Sequence, residues 1–176
     1  MQLRSLDGCR LKIGKYPPFT YNAYGGGGKA TVLPNQKNNL LHISFSSKTF
    51  SIPPLTSKTT KFLSLPLPTG LKIEMSMNKL EGTIDKNSGE VFLKFESKFI
   101  FSIGAKLKFP NLIVKTILNT GKVKGELHEG EGSVLQNNGT IKLVGLSIIP
   151  KTGNKILDAF LGLPNEALAE LQCMIK

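Results

Sequence analysis

The segment VFLKFESKFIFSIG, Val91 to Gly104, constrains the fold of this chain more than any other. Val91, Leu93, Phe95, Phe99, Phe101 and Ile103 are apolar, while Lys94, Glu96, Lys98 and Ser102 on the opposite parity are polar. A period of two identifies a half-buried β-strand, because successive side chains of an extended backbone point to opposite faces. The apolar face is either packed core or the wall of a ligand pocket. Alternation alone does not separate the two.

From about residue 10 to residue 150 the chain continues as short β-prone runs punctuated by turn residues, and no long helical period intervenes. Strands are predicted over residues 11–14, 19–24, 29–33, 40–46, 71–78, 79–85, 90–104, 112–118, 121–128, 132–136 and 140–149. Lys86-Asn87-Ser88-Gly89, Asn119-Thr120-Gly121 and Asn137-Asn138-Gly139 read as turns, since Asn and Gly tolerate positive φ. Between Leu71 and Ile84 the apolar residues occupy odd positions through Met77 and even positions from Leu80, so a bulge is expected near Asn78 and Lys79. Long bulged strands curve a sheet toward closure. The fold expected is mainly β, an antiparallel barrel or barrel-like sandwich, in one domain spanning residues 1–176.

The end of the chain reads differently. In NKILDAFLGLPNEALAELQCMIK, Ile156, Leu157, Phe160 and Leu161 have helical spacing and Gly162 is a terminator. Pro164 sits where a first-turn proline belongs, with Leu168, Leu171 and Ile175 on one face of a second helix. Residues 154–175 are therefore predicted to form a helical cap over an open end of the β portion.

The formal net charge of +11 invites an anionic partner. Arg4 and Arg10 are the only arginines among 23 basic residues, and the rest are lysines scattered along the chain. Lysine lacks the planar fork that reads phosphates and base edges, so the charge favours weak surface attraction over nucleic-acid recognition. The N-terminus has no uninterrupted apolar stretch after its first charges, and no run approaches the ~18 apolar residues of a membrane span, so neither a secretion signal nor a membrane anchor is predicted. In that setting Cys9 and Cys173 are expected as free thiols, and the sequon Asn138-Gly139-Thr140 as turn chemistry.

Motifs for catalysis are not met. The tetraglycine of NAYGGGGKAT falls short of a phosphate-binding loop, because Ala23 stands at its first glycine and Ala30 at its hydroxyl position. Gly25 to Gly28 then read as a turn. His42, His128, Cys9 and Cys173 have no metal-ligand spacing, and both histidines read as solvent-side residues. No serine elbow is present, and Glu126, Glu129 and Glu131 read as a solvated acidic hairpin. The expectation is a protein without enzymatic activity, cofactor or metal.

The segment FSIPPLTSKTTKFLSLPLPTGLKIEM is strongly apolar for a loop, yet Pro53, Pro54, Pro66 and Pro68 exclude a central strand or helix. It either covers a core, closes a pocket as a lid, or rests on an anionic bilayer with Lys58, Lys61 and Lys72 beside its leucines. The residues predicted to contact an apolar ligand are Phe95, Phe99 and Phe101 as lining and Phe62, Leu65 and Leu67 as lid.

The stretches LPLPTGLKIEMSMNKLEGTIDKNSGEVFLKFESKFIFSIG, LIVKTILNTGKVKG, LVGLSIIP and FLGLPNEALAEL together resemble a family of uncharacterised proteins of cyanobacteria and plant plastids, over about residues 50 to 172. That resemblance implies a cytoplasmic or plastid-stromal location, or one peripheral to the thylakoid membrane. The hairpin KLEGTIDKNSGEVFLKF and FPNLIVKT resemble lipocalin-like barrels of the YceI type, which implies a pocket for an isoprenoid chain. Two functions follow as expectations. One is a barrel binding a lipid, isoprenoid or pigment, or a membrane-associated partner; the other is an assembly or structural factor acting through its surface on a photosynthetic complex, and weak nucleic-acid binding, motivated by charge alone, stands behind both.

Overall fold

The structure is a computed structural model that describes residues 1–34 and 39–176. Its strands are β1 (Gln2–Ser5), β2 (Cys9–Ile13), β3 (Phe19–Tyr21), β4 (Gly27–Pro34), β5 (Leu40–Phe45), β6 (Thr60–Phe62), β7 (Leu65–Pro66), β8 (Leu71–Asp85), β9 (Val91–Ile103), β10 (Leu107–Lys108), β11 (Leu112–Asn119), β12 (Lys122–Lys124), β13 (Glu129–Glu131), β14 (Thr140–Ile149) and β15 (Asn165–Ile175). Among the described residues a single short helix, α1 (Lys155–Leu161), precedes β15. No helix of the described residues is long and apolar enough to cross a membrane.

The sheet closes on itself. Its order β1-β4-β5-β8-β9-β11-β14-β15 returns to the start because β1 also pairs β15, antiparallel throughout, giving an eight-stranded barrel. The alternating segment supplies β9, paired with β8 from Leu71↔Ile103 to Ile84↔Val91. The expected bulge is present: Met77 faces Ser97 and Lys79 faces Glu96, so Asn78 is the extra residue. This shift keeps Met77 and Leu80 both buried, although their spacing is odd. At the Lys86–Gly89 turn Asp85 Oδ1 accepts from the backbone N–H groups of Asn87 and Ser88, and Gly89 takes a φ of 72°.

The wall of the barrel is built differently at its two ends. At one end β4 and β5 bridge β1 to the second half of β8, through Gln2↔Lys29 and Leu40↔Asp85. At the other end β15 pairs β2 at Ala167↔Ile13, and β3, β6 and β7 then extend the wall. The proline-rich segment completes it: β6 is three residues long, β7, with Pro66, is a two-residue edge strand, and Leu55 forms an isolated bridge to Ile73 of β8. Proline is tolerated there because an edge strand has N–H groups that need no partner within the sheet.

One seam is splayed. β11 and β14 pair at a single position, Asn119↔Val144, and the Thr116 hydroxyl carries the contact on by donating to the Leu146 carbonyl at 2.8 Å. Beyond that point α1 fills the gap, with Leu157 and Leu161 packed in one cluster with Leu112 and Ile149. The helix starts where predicted: Asn154 Oδ1 accepts from the Leu157 N–H, and Gly162 ends it in the left-handed region at φ 64°.

The predicted second helix does not form. Residues 165–175 are strand β15, hydrogen-bonded to β14 on one side and to β1 and β2 on the other. EALAELQCMI has good helix formers, but Ala167, Ala169, Leu171, Cys173 and Ile175 also alternate with Glu166, Glu170 and Gln172. Two flanking strands offer a ladder on both edges, and that outweighs intrinsic preferences of a few tenths of a kcal/mol per residue. The β portion accordingly starts at Gln2, not near residue 10, and returns after the helix. Two predicted strands shrink: 121–128 becomes the three residues of β12, and 132–136 keeps only the Ser133↔Lys142 bridge.

Candidate functional site

The barrel encloses a cavity of about 530 Å³. Its size follows from the residues that alternation turns inward. In the half nearer β4 and β5, Leu80, Leu93, Ile141, Leu143, Cys173 and Ile175 belong to one buried cluster that closes that end. In the other half the inward residues of β14 and β15 are Gly145, Ser147, Ala167 and Ala169, which reach only a short way into the lumen. Backbone spacing is fixed by the ladder, so small side chains on a closed wall leave space between opposite strands.

All six residues predicted to contact a ligand line this cavity. Phe95, Phe99 and Phe101 enter it from β9, and Phe62, Leu65 and Leu67 from the proline-rich segment. Lys94 is exposed, whereas Glu96 and Lys98 are half-buried on the outer face, Glu96 being paired with Lys115 at 3.0 Å. Ser97 is the one polar residue of β9 that points inward with the phenylalanines, and its hydroxyl donates to the Ser76 carbonyl at 2.9 Å. Ile103, placed on the inner face by parity, is exposed at the strand end.

The mouth is apolar. Leu63 and Leu65 are 63% and 67% exposed and Phe160 is 55% exposed, yet all three also line the cavity. Leu63 and Ser64 have φ of 52° and 65°, the signature of a tight two-residue hairpin between β6 and β7. A non-glycine residue in that region costs on the order of 1 kcal/mol. Tyr16 ties the mouth together: its hydroxyl donates to the Phe160 carbonyl at 3.1 Å, and its ring meets Phe62 edge-on at 6.4 Å. Of the lysines predicted to face a membrane, Lys58 and Lys61 are exposed, whereas Lys72 is held by Glu74 at 2.7 Å.

Among the described residues, none that lines the cavity is charged. Cys9 and Cys173 are buried free thiols on its wall. Burial pushes the Cys173 thiol up to about 12, with a further contribution from Cys9, and burial also raises Cys9. Both are thiols, not thiolates, at neutral pH, which makes them poor nucleophiles.

A second cluster lies outside the barrel wall. Glu166 of β15 is buried and accepts three backbone N–H bonds, from Glu126 at 2.8 Å, Leu127 at 3.1 Å and His128 at 2.6 Å. Burial works to raise its carboxyl, and the three N–H groups with the nearby His128 outweigh it, holding the group below the usual glutamate range. Gly125 is required here, since a Cβ on it would stand 2.1 Å from a Glu166 oxygen. His128 is half-buried, not solvent-side as its sequence context suggested, and its Nε2 is buried with no partner among the described residues. The loop wraps a carboxylate, and that buried anchor draws the histidine in. His42 is exposed as expected. Glu166 itself gives no sequence signal, because its partners are backbone groups about 40 residues away.

The glycine run serves packing. Gly25 turns at φ 89°, and Gly27 and Gly28 already belong to β4; a Cβ on Gly27 would lie 2.0 Å from the Leu3 carbonyl oxygen of β1. Glu129 and Glu131 lie on the exposed edge of the β12–β13 hairpin, where Lys122 approaches Glu131 at 3.6 Å. Among the described residues no group of acids, histidines and cysteines could hold a metal ion. No protein-family model, curated protein or solved structure matches this chain.

Proposed function

We propose that the protein is a non-enzymatic carrier or receptor that holds one apolar molecule, a lipid, isoprenoid or pigment chain, in the barrel lumen. The observation that carries this reading is the uncharged cavity of about 530 Å³ inside a closed barrel. Ligand sites range over roughly 300–1,000 Å³ and are mostly apolar with few polar groups. A void of this size left empty forfeits the packing contacts of its walls, and an apolar guest restores them. The test is a fluorescence titration with N-phenylnaphthylamine, an uncharged apolar dye. Saturable binding at one site per chain is expected; emission that stays at the level of dye in buffer, up to the dye's solubility limit, removes the reading.

The mouth favours a membrane as the source of that molecule. Exposed Leu63, Leu65 and Phe160 surround it, with Lys58 and Lys61 beside them. Shallow insertion of leucines combined with lysine attraction to anionic headgroups produces reversible, salt-sensitive attachment. Cosedimentation with phosphatidylserine-containing vesicles should exceed that with phosphatidylcholine alone and should fall in the Leu63→Ser/Leu65→Ser double variant. Equal sedimentation of both proteins with both vesicles overturns it.

A further inference from the structure

The polar side chains of the lumen are few enough to account for one at a time. Thr116 donates to the Leu146 carbonyl at 2.8 Å, Tyr16 donates to the Phe160 carbonyl at 3.1 Å, and Thr60 lies 3.3 Å from the Thr59 hydroxyl. The Cys9 sulfur accepts from the Gln172 N–H at 3.4 Å and lies 3.5 Å from the Leu6 carbonyl. Three lumen hydroxyls, those of Tyr21, Ser5 and Ser147, make no hydrogen bond to the described residues. Tyr21 lines the cavity from β3, opposite Cys9 in the β2–β3 register, and is the phenol among them. Ser5 lines it from β1, opposite Cys173 in the β1–β15 register, and Ser147 from β14.

A phenol both donates and accepts one hydrogen bond readily, and leaving it unmet inside an apolar enclosure is unfavourable. Burial raises the Tyr21 phenol far above its ordinary value, and Cys9 and Cys173 add to that, so it is a neutral group at physiological pH. Among the described residues nothing in the lining supplies a cation for a buried carboxylate or phosphate, and an unpaired charge in such a site is strongly disfavoured.

We infer that the lumen selects an elongated uncharged molecule carrying one neutral oxygen function, a hydroxyl or carbonyl, which hydrogen-bonds to the Tyr21 hydroxyl, while carboxylates and phosphates are excluded from the interior. This inference rests on the apolar-carrier reading and adds the orientation of the guest: its oxygen end against Tyr21, its chain along Phe95 and Phe99 toward the mouth.

The test is displacement of N-phenylnaphthylamine by dodecanol, dodecane and dodecanoate at pH 8, for the wild type, Tyr21→Phe and Ser147→Ala. Tyr21→Phe keeps the ring and removes only the oxygen; Ser147 is a lumen hydroxyl on the mouth half of β14. In the wild type dodecanol is expected to displace the dye at a concentration about tenfold or more below dodecanoate. Tyr21→Phe should weaken dodecanol by about 3- to 10-fold and leave dodecane within about twofold, and Ser147→Ala should change neither. Dodecanoate binding as tightly as dodecanol in the wild type, an unchanged dodecanol-to-dodecane ratio in Tyr21→Phe, or loss of that ratio in Ser147→Ala instead, each overturns the Tyr21 assignment while leaving the carrier reading intact. If the dye binds and none of the three displaces it, the assignment fails; if the dye itself does not bind, both fail together.

Discussion

The same strands run through both ends of this barrel, yet one end is packed and the other is hollow. On β14 the inward residues pass from Ile141 and Leu143 to Gly145 and Ser147, and on β15 from Ile175, Cys173 and Leu171 to Ala169 and Ala167. The backbone differs little between these halves, since the β14–β15 ladder is continuous from Thr140↔Met174 to Ile149↔Asn165. Side-chain volume alone separates core from cavity there. The hollow half is also where the wall is irregular: β4 and β5 are absent from it, the proline-rich segment stands in, and α1 fills the seam between β11 and β14. An eight-stranded barrel is just wide enough for its side chains to fill or for one small guest to occupy, and this chain does each in a different half.

The contrast can be broken by mutation. Ile141, 2% exposed at the packed end and not on the cavity wall, should cost ~2–5 kcal/mol when replaced by alanine, because the void it leaves is surrounded by ordered side chains. Urea denaturation measures this, and a loss under about 1 kcal/mol would mean that end is not close-packed. Replacing Glu166 by Gln should lower stability by about 1.5–3 kcal/mol near neutral pH, through loss of an anionic acceptor for three N–H groups. Its carboxyl is depressed in the folded state, so its contribution is present above the unfolded glutamate range and lost as pH falls through the lower folded value. The gap between wild type and Glu166→Gln should therefore narrow on acidification; a gap independent of pH would show that charge is not what the loop holds.

Smaller effects sharpen the hollow side. Phe99→Ala should cost only about 1–2 kcal/mol, less than Ile141→Ala, because its ring already borders open space and has fewer contacts to lose. A Lys98→Ala control on the outer face should stay within about 0.5 kcal/mol of the wild type. Equal losses for Phe99→Ala and Ile141→Ala would show a filled lumen. Ala169→Leu should act in the opposite direction, raising stability by about 0.5–1 kcal/mol by occupying the void while weakening dye binding. A destabilised Ala169→Leu protein that still binds dye would place the guest elsewhere.

Much of the barrel was legible from local pattern. Val91–Ile103 has one predominantly apolar parity, and the parity switch between Met77 and Leu80 marked the bulge at Asn78. The capping residues Asn154 and Gly162 bounded α1. The lining residues Phe95, Phe99 and Phe101 could be named because parity fixes which face they share. β15 was misread because short apolar runs of good helix formers satisfy both periods, and only pairing partners decide between them. Parity over residues 19–24 puts Tyr21 on one face with Phe19 and Ala23, but nothing local shows that this face meets the lumen, which depends on β2 and β6.

What the sequence determined by itself is therefore the alternation, the turns and the bulge, each governed by interactions between residues close along the chain. Whether the apolar face of Val91–Ile103 met a dry core or a cavity was decided by Gly145, Ser147, Ala167 and Ala169, residues on strands that β9 does not even pair with. Tertiary structure decided the same for β15, whose strand conformation depends on β1, β2 and β14 flanking it. The physical reason is common to both. Local preferences differ by tenths of a kcal/mol per residue, while backbone pairing and the matching of side-chain volumes across a closed barrel act between residues that only the fold brings together.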